Sequence, residues 1–160
     1  MEVMQNGQEY MMSRSRELFV KGFHCSQAVF QSAAETFGFE DYMSVISSLA
    51  PFGGGMGSTG NVCGSLSGAI AVFGFLWGKQ VPNDHDKRPM WRLSYKMVKK
   101  FESITSRYNG IDCRAIVGVN WSDRDAIKAF RSGKDGKRDR CLYVIEQTSK
   151  ELYTMLKQNL

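Results

Sequence analysis

Apolar residues recur along most of this chain at spacings of three and four, the period of a helix buried on one face. Cys25 is followed by Ala28, Val29 and Ala33, and Cys141 by Val144, Ile145, Thr148 and Leu152. No run alternates with period two for long enough to demand a strand. Glycines and the three prolines, Pro51, Pro82 and Pro89, fall between the periodic stretches and set their limits. The pattern predicts a helix from Gln8 to Lys21, stopped at Gly22, and a second from Cys25 to Phe37, stopped at Gly38. A third runs from Asp41, read as an N-cap, to Leu49. A glycine-rich loop, 51–60, leads to a core helix over 61–77. A polar loop, 78–87, leads to a long helix from Pro89 to Tyr108, ended by Asn109-Gly110. Short helices follow at 113–117 and 123–130, then a charged loop over 131–139 and a last helix over 140–156. The fold class is all-α: a compact single-domain bundle over residues 1–160 with a buried, glycine-rich central helix.

That central helix is unusual. Gly60, Gly64, Ser67, Gly68, Ala71, Gly74 and Gly78 lie along one side of it. A glycine inside a helix costs about 1 kcal/mol against alanine, so the stripe calls for something that approaches closely. That something is either another backbone or a bulky cofactor, with Gly64 and Gly68 as its seat. Gly55-Met56-Gly57-Ser58-Thr59-Gly60 spells GxGxxG. No strand is readable before it and no acidic residue stands about twenty positions on, so it is not a dinucleotide fingerprint.

Composition narrows the chemistry. A hydrophobic fraction of 42% in 160 residues supports a core without metal or disulfide staples. A net charge of +5 is too small to mark a nucleic-acid binder by itself. The start, Met1 to Met12, is polar and lacks the apolar run of an export signal. The most apolar stretch, Gly68 to Gly78, is too short and glycine-rich to span a bilayer. These features predict a cytoplasmic protein without membrane insertion. Thiols there stay reduced, so four cysteines suggest metal, redox or catalytic roles over static disulfides.

Cys25, Cys63, Cys113 and Cys141 each fall at a predicted helix start, on its apolar face. Free N–H groups and the helix dipole favour thiolate at such positions, the form that reacts and binds metal. The competing reading packs them as small hydrophobes. No Cys-x-x-Cys occurs, so zinc-ribbon and thioredoxin-type motifs are absent. Cys63 ranks first for reactivity, because it leaves a flexible loop and enters the most crowded helix. His24, beside Cys25, is a candidate base, ligand or cofactor contact; His85 reads as exposed. The tryptophans read as packing, and the basic cluster of Lys128, Arg131, Lys134, Lys137, Arg138 and Arg140 as a solvated loop or a dock for an acidic electron-transfer partner.

Cys63-Gly64-Ser65-Leu66-Ser67-Gly68, preceded by a glycine-rich loop, resembles the CGAxxG motif of the C_GCAxxG_C_C family of putative redox-active proteins. The segment Gly22-Phe23-His24-Cys25-Ser26-Gln27 resembles the surroundings of that family's first cysteine, and Cys113 and Cys141 its last two. Ser65 departs from the motif's alanine; being small, it satisfies a steric requirement. The resemblance implies a bacterial or archaeal protein in which the four cysteines exchange electrons as thiol–disulfide pairs or hold a metal ion or iron–sulfur centre. It implies a redox partner, protein or small molecule, and leaves a homodimer open. The readings of another class are a helical binding domain with inert cysteines, and a thiol enzyme with Cys63 or Cys25 as nucleophile and His24 as base.

Overall fold

The structure, a computed structural model, describes residues 6–160. The first five residues of the polar start lie outside them. The chain forms α1 (Gly7–Val20), α2 (Cys25–Phe37), α3 (Met43–Leu49), α4 (Gly64–Trp77), α5 (Pro89–Ile104), α6 (Cys113–Ile116), α7 (Arg124–Ser132) and α8 (Lys137–Lys157). Single 3-10 turns follow α3 and α5. Among the described residues there is no strand, only an isolated antiparallel bridge between Val62 and Asp112. The all-α expectation holds. No described helix is long and apolar enough to cross a membrane.

α2 and α4 form the centre. Ten of the thirteen residues of α2 are buried, because α1, α4 and α8 all pack on it. Its left-handed C-cap is Gly38, as the glycine stop requires. Its four buried polar residues, Ser26, Gln27, Ser32 and Thr36, all place their side chains in hydrogen bonds. Ser26 Oγ donates to the Leu49 carbonyl at 2.7 Å and Gln27 Nε2 to the Ile46 carbonyl at 3.0 Å. Those carbonyls belong to the last turn of α3, where a helix has no partners of its own to offer. The first turn of α2, which begins with Cys25, is thereby fixed to the end of α3.

The smooth side of α4 explains the fit between α2 and α4. A Cβ at Gly68 would run into the Ser26 carbonyl oxygen and lie 2.9 Å from Ser26 Cα. The close neighbour of the stripe is therefore the backbone of α2. Only its first part is crowded: Gly74 is exposed and has nothing near it.

Several boundaries differ from expectation. Asp41 is not the N-cap of α3; it adopts a left-handed φ of 55°, and its carbonyl accepts from Ser44 Oγ at 3.2 Å. α4 starts at Gly64, since the bridge takes Val62 and leaves Cys63 as the N-cap. The long helix stops at Ile104, where Thr105 turns its hydroxyl back to the Phe101 carbonyl at 2.9 Å. The charged loop shrinks to 133–136. Gly133 closes α7 in a left-handed cap, and Asp135 accepts from the Lys137 N–H at 2.9 Å. α8 therefore begins early, and Cys141 sits a full turn inside it rather than at its start. Trp91 does not pack: it is 70% exposed, its indole N–H donating to Asp86 Oδ2 at 3.0 Å.

Candidate functional site

One cavity of about 270 Å³ is lined by Cys25, Cys63, Cys113 and Cys141 together, with His24 beside them. The four cysteines, widely separated in sequence, thus face a common space. Cys63 and Cys113 are buried; Cys25 and Cys141 are half-buried. All four are free thiols.

Three local devices bring them there. The Val62–Asp112 bridge sets the residues just before Cys63 and Cys113 side by side. The Cys63 N–H donates to the Ile111 carbonyl at 3.0 Å, and the Cys113 N–H to the Asn61 carbonyl at 2.7 Å. Gly55 must be bare, because a Cβ there would meet the Asn61 backbone and lie 2.7 Å from Cys113 Cβ. The third device is Gly64. A Cβ on it would lie 2.5 Å from Cys25 Sγ and 2.9 Å from the Phe52 carbonyl oxygen. The glycine after Cys63 is the seat of the Cys25 sulfur. Of the two neighbours expected at Gly64 and Gly68, another backbone or a cofactor, the start of α2 is the one that stands against them.

The Cys25 and Cys63 sulfurs are neighbours at Gly64, and their mutual influence separates the two groups electrostatically. It holds Cys63 below the ordinary thiol range, helped against burial by the Ser65 N–H, the Ser65 hydroxyl and the Leu66 N–H at the start of α4. The same influence, burial and the neighbouring sulfurs hold Cys25 well above that range. Burial, then the Cys63 charge, pushes Cys113 up to about 11, against the Trp121 indole. Burial likewise raises Cys141, with Arg138 offsetting part of the effect. The expectation that all four thiols are acidified thus holds in direction for Cys63 alone. At Cys25 the neighbouring Cys63 and then burial outweigh what the helix start supplies; at Cys113 and Cys141 loss of water does, and Cys141 is not at a helix start.

Two buried donors on the cavity wall have no oxygen or nitrogen partner: Ser65 Oγ and Trp121 Nε1. Each still favours the thiolate of a nearby cysteine, Ser65 that of Cys63 and Trp121 that of Cys113. Trp121 is held edge-on to Phe130, ring centroids 5.2 Å apart. Neither residue was identified from sequence as part of the site. Trp121 comes from an irregular loop and has no periodic signal; the hydroxyl of Ser65 was legible only as a small residue two positions after Cys63.

His24 lies on the exposed rim, with its backbone N–H donating to Gln27 Oε1 at 3.2 Å. Gly53 leaves the room its ring occupies, since a Cβ there would stand 2.7 Å from His24 Nδ1. Among the described residues, no three histidine, cysteine, aspartate or glutamate side chains are grouped so as to hold one metal ion. The sulfurs of Cys25, Cys63, Cys113 and Cys141 share a cavity without forming a ligand shell.

Neither a curated protein nor a solved structure matches the chain. A family profile, described as "Putative redox-active protein (C_GCAxxG_C_C)", matches residues 23–155, which span all four cysteines. The chain belongs to the C_GCAxxG_C_C family.

Proposed function

We propose that the protein is a dithiol–disulfide redox protein in which Cys63 attacks and Cys25 resolves. The observation that supports this is the contact between the two sulfurs at the wall of a shared cavity, made possible by the bare Gly64. The family's redox description agrees with it.

The reaction needs a disulfide, R–S–S–R′, as oxidant. The Cys63 thiolate attacks one sulfur; the R–S–S–R′ bond breaks, R′S⁻ leaves and a Cys63–S–S–R bond forms. The Cys25 proton passes to R′S⁻. The Cys25 thiolate then attacks the Cys63 sulfur, expelling RS⁻ and closing a Cys25–Cys63 disulfide. Two cysteine thiols are oxidised, and one disulfide is reduced to two thiols. A dithiol reductant, small or protein, returns the pair to its starting state.

Mild oxidation followed by non-reducing peptide mapping tests the assignment. The first cross-link to form should join Cys25 to Cys63, and Cys25→Ala and Cys63→Ala should each abolish it. A different first pair, or no loss of free thiol, would remove this reading.

A further inference from the structure

The cavity's charge is as informative as its sulfurs. No acidic residue lines it, whereas two arginines do, Arg131 from α7 and Arg138 from α8. Among the described residues neither arginine is in an ion pair. Arg138 is held in place, its guanidinium donating to the Arg131 carbonyl at 2.8 Å and lying 5.6 Å from the Phe19 ring centroid. The surrounding wall is apolar: Phe19, Phe23, Ile127, Phe130 and Val144. Of its two partnerless polar side chains, the Trp121 indole N–H can only donate, and the Ser65 hydroxyl can turn its hydrogen toward negative charge. Ser65 is 1% exposed, so its donor cannot turn to bulk water. A small apolar chamber with hydrogen-bond donors, two cations at its edge and no acid is built to hold negative charge.

We propose that the cavity takes a small anionic substrate, a carboxylate-bearing disulfide or thiol, whose carboxylate pairs with Arg131 and Arg138 while its sulfur meets Cys63. The sulfur part of this assignment rests on the dithiol reading above; the preference for an anion does not. Selectivity follows from charge: an isolated thiolate repels an anionic reagent, whereas this site attracts it.

Iodoacetate and iodoacetamide differ by one carboxylate and alkylate the same sulfur, so their rate ratio at Cys63, read by peptide mapping, reports the field there. The ratio in the wild-type protein should exceed that of a blocked free cysteine by about ten-fold. It should fall toward the free value in Arg131→Gln and Arg138→Gln. Lys134→Gln, an exposed cation outside the cavity, should leave it unchanged. Reduction of 3,3′-dithiodipropionate should likewise outpace that of cystamine, its cationic counterpart. A wild-type ratio no higher than that of the free thiol, an equal fall in the Lys134 variant, or a Cys63 that neither reagent reaches would overturn the proposal. If the ratio behaves as expected but no Cys25–Cys63 disulfide forms, the anion site stands and the dithiol reading fails. If the disulfide forms without any preference for charge, the reverse holds.

Discussion

Ser65 stands where the family motif has alanine, and its role is chemical as well as steric. Its hydroxyl is buried against Cys63 with no other acceptor, so it can only favour the thiolate or remain unpaired. Ser65→Ala should therefore raise the Cys63 pKa and slow its alkylation near neutral pH. Stability should change by less than about 1 kcal/mol, since no oxygen or nitrogen partner is lost. Cys25→Ala removes the larger influence and should shift Cys63 further in the same direction. Alkylation rates of Cys63 across pH, in the reduced and folded variants, check both. An unshifted profile in Cys25→Ala would mean that the two sulfurs do not interact. At this scale the sequence was partly legible. Cys63 could be ranked first because the glycine loop before it and the crowded helix after it are visible in the sequence. The acidity of one thiol and the resistance of three could not, because they depend on which sulfur touches which and on depth below the surface.

The stripe of α4 makes a sharper test at the level of helices, because glycines that look alike in sequence have unlike surroundings. At Gly68 a new Cβ meets the backbone of Ser26, which cannot rotate aside, so α2 and α4 must part. Gly68→Ala should destabilise by about 1–3 kcal/mol even after its gain in helix propensity. Gly64→Ala should also displace the Cys25 sulfur and so cost the acidity of Cys63 as well as stability. Gly74→Ala, mid-helix, exposed and with open space around it, should stabilise by about 0.5–1 kcal/mol. Denaturant midpoints of the three variants check the order; an indifferent Gly68→Ala would mean that the two helices are not in backbone contact. Periodicity and glycine stops made α2 legible to the residue, since both its ends are marked by glycine-containing turns. They failed at α8, whose first turn, Lys137 to Arg140, is all charged and has no apolar period to reveal a helix. The same charge hid Arg131 and Arg138, because a basic run looks alike whether it faces water or a cavity.

For the molecule as a whole, gathering four thiols at one cavity makes folding depend on their protonation. Three of them, Cys25, Cys113 and Cys141, are raised by the fold. In the unfolded chain each loses its proton near the ordinary thiol value of about 8.5. In the folded protein Cys113 keeps its proton up to about 11. Between those values the native state binds more protons than the unfolded state, so stability falls as pH rises, and the loss is complete once pH has passed the folded value. Cys63 acts in the opposite sense. Its lowered value contributes stability that is present above about 8.5 and is lost as pH falls through its folded value. With three thiols against one, the reduced protein should weaken steadily above about pH 8.5. Lysine and tyrosine titrate in the same range, so the decisive quantity is a difference. Cys113→Val and Cys141→Val should each flatten the decline relative to wild type, while the Lys134→Gln surface variant should not. Denaturant unfolding of reduced protein from pH 7.5 to 10.5 measures it. Parallel curves for wild type and both valine variants would show that these thiols ionise alike in the folded and unfolded chain, and that burial at the cavity does not hold their protons.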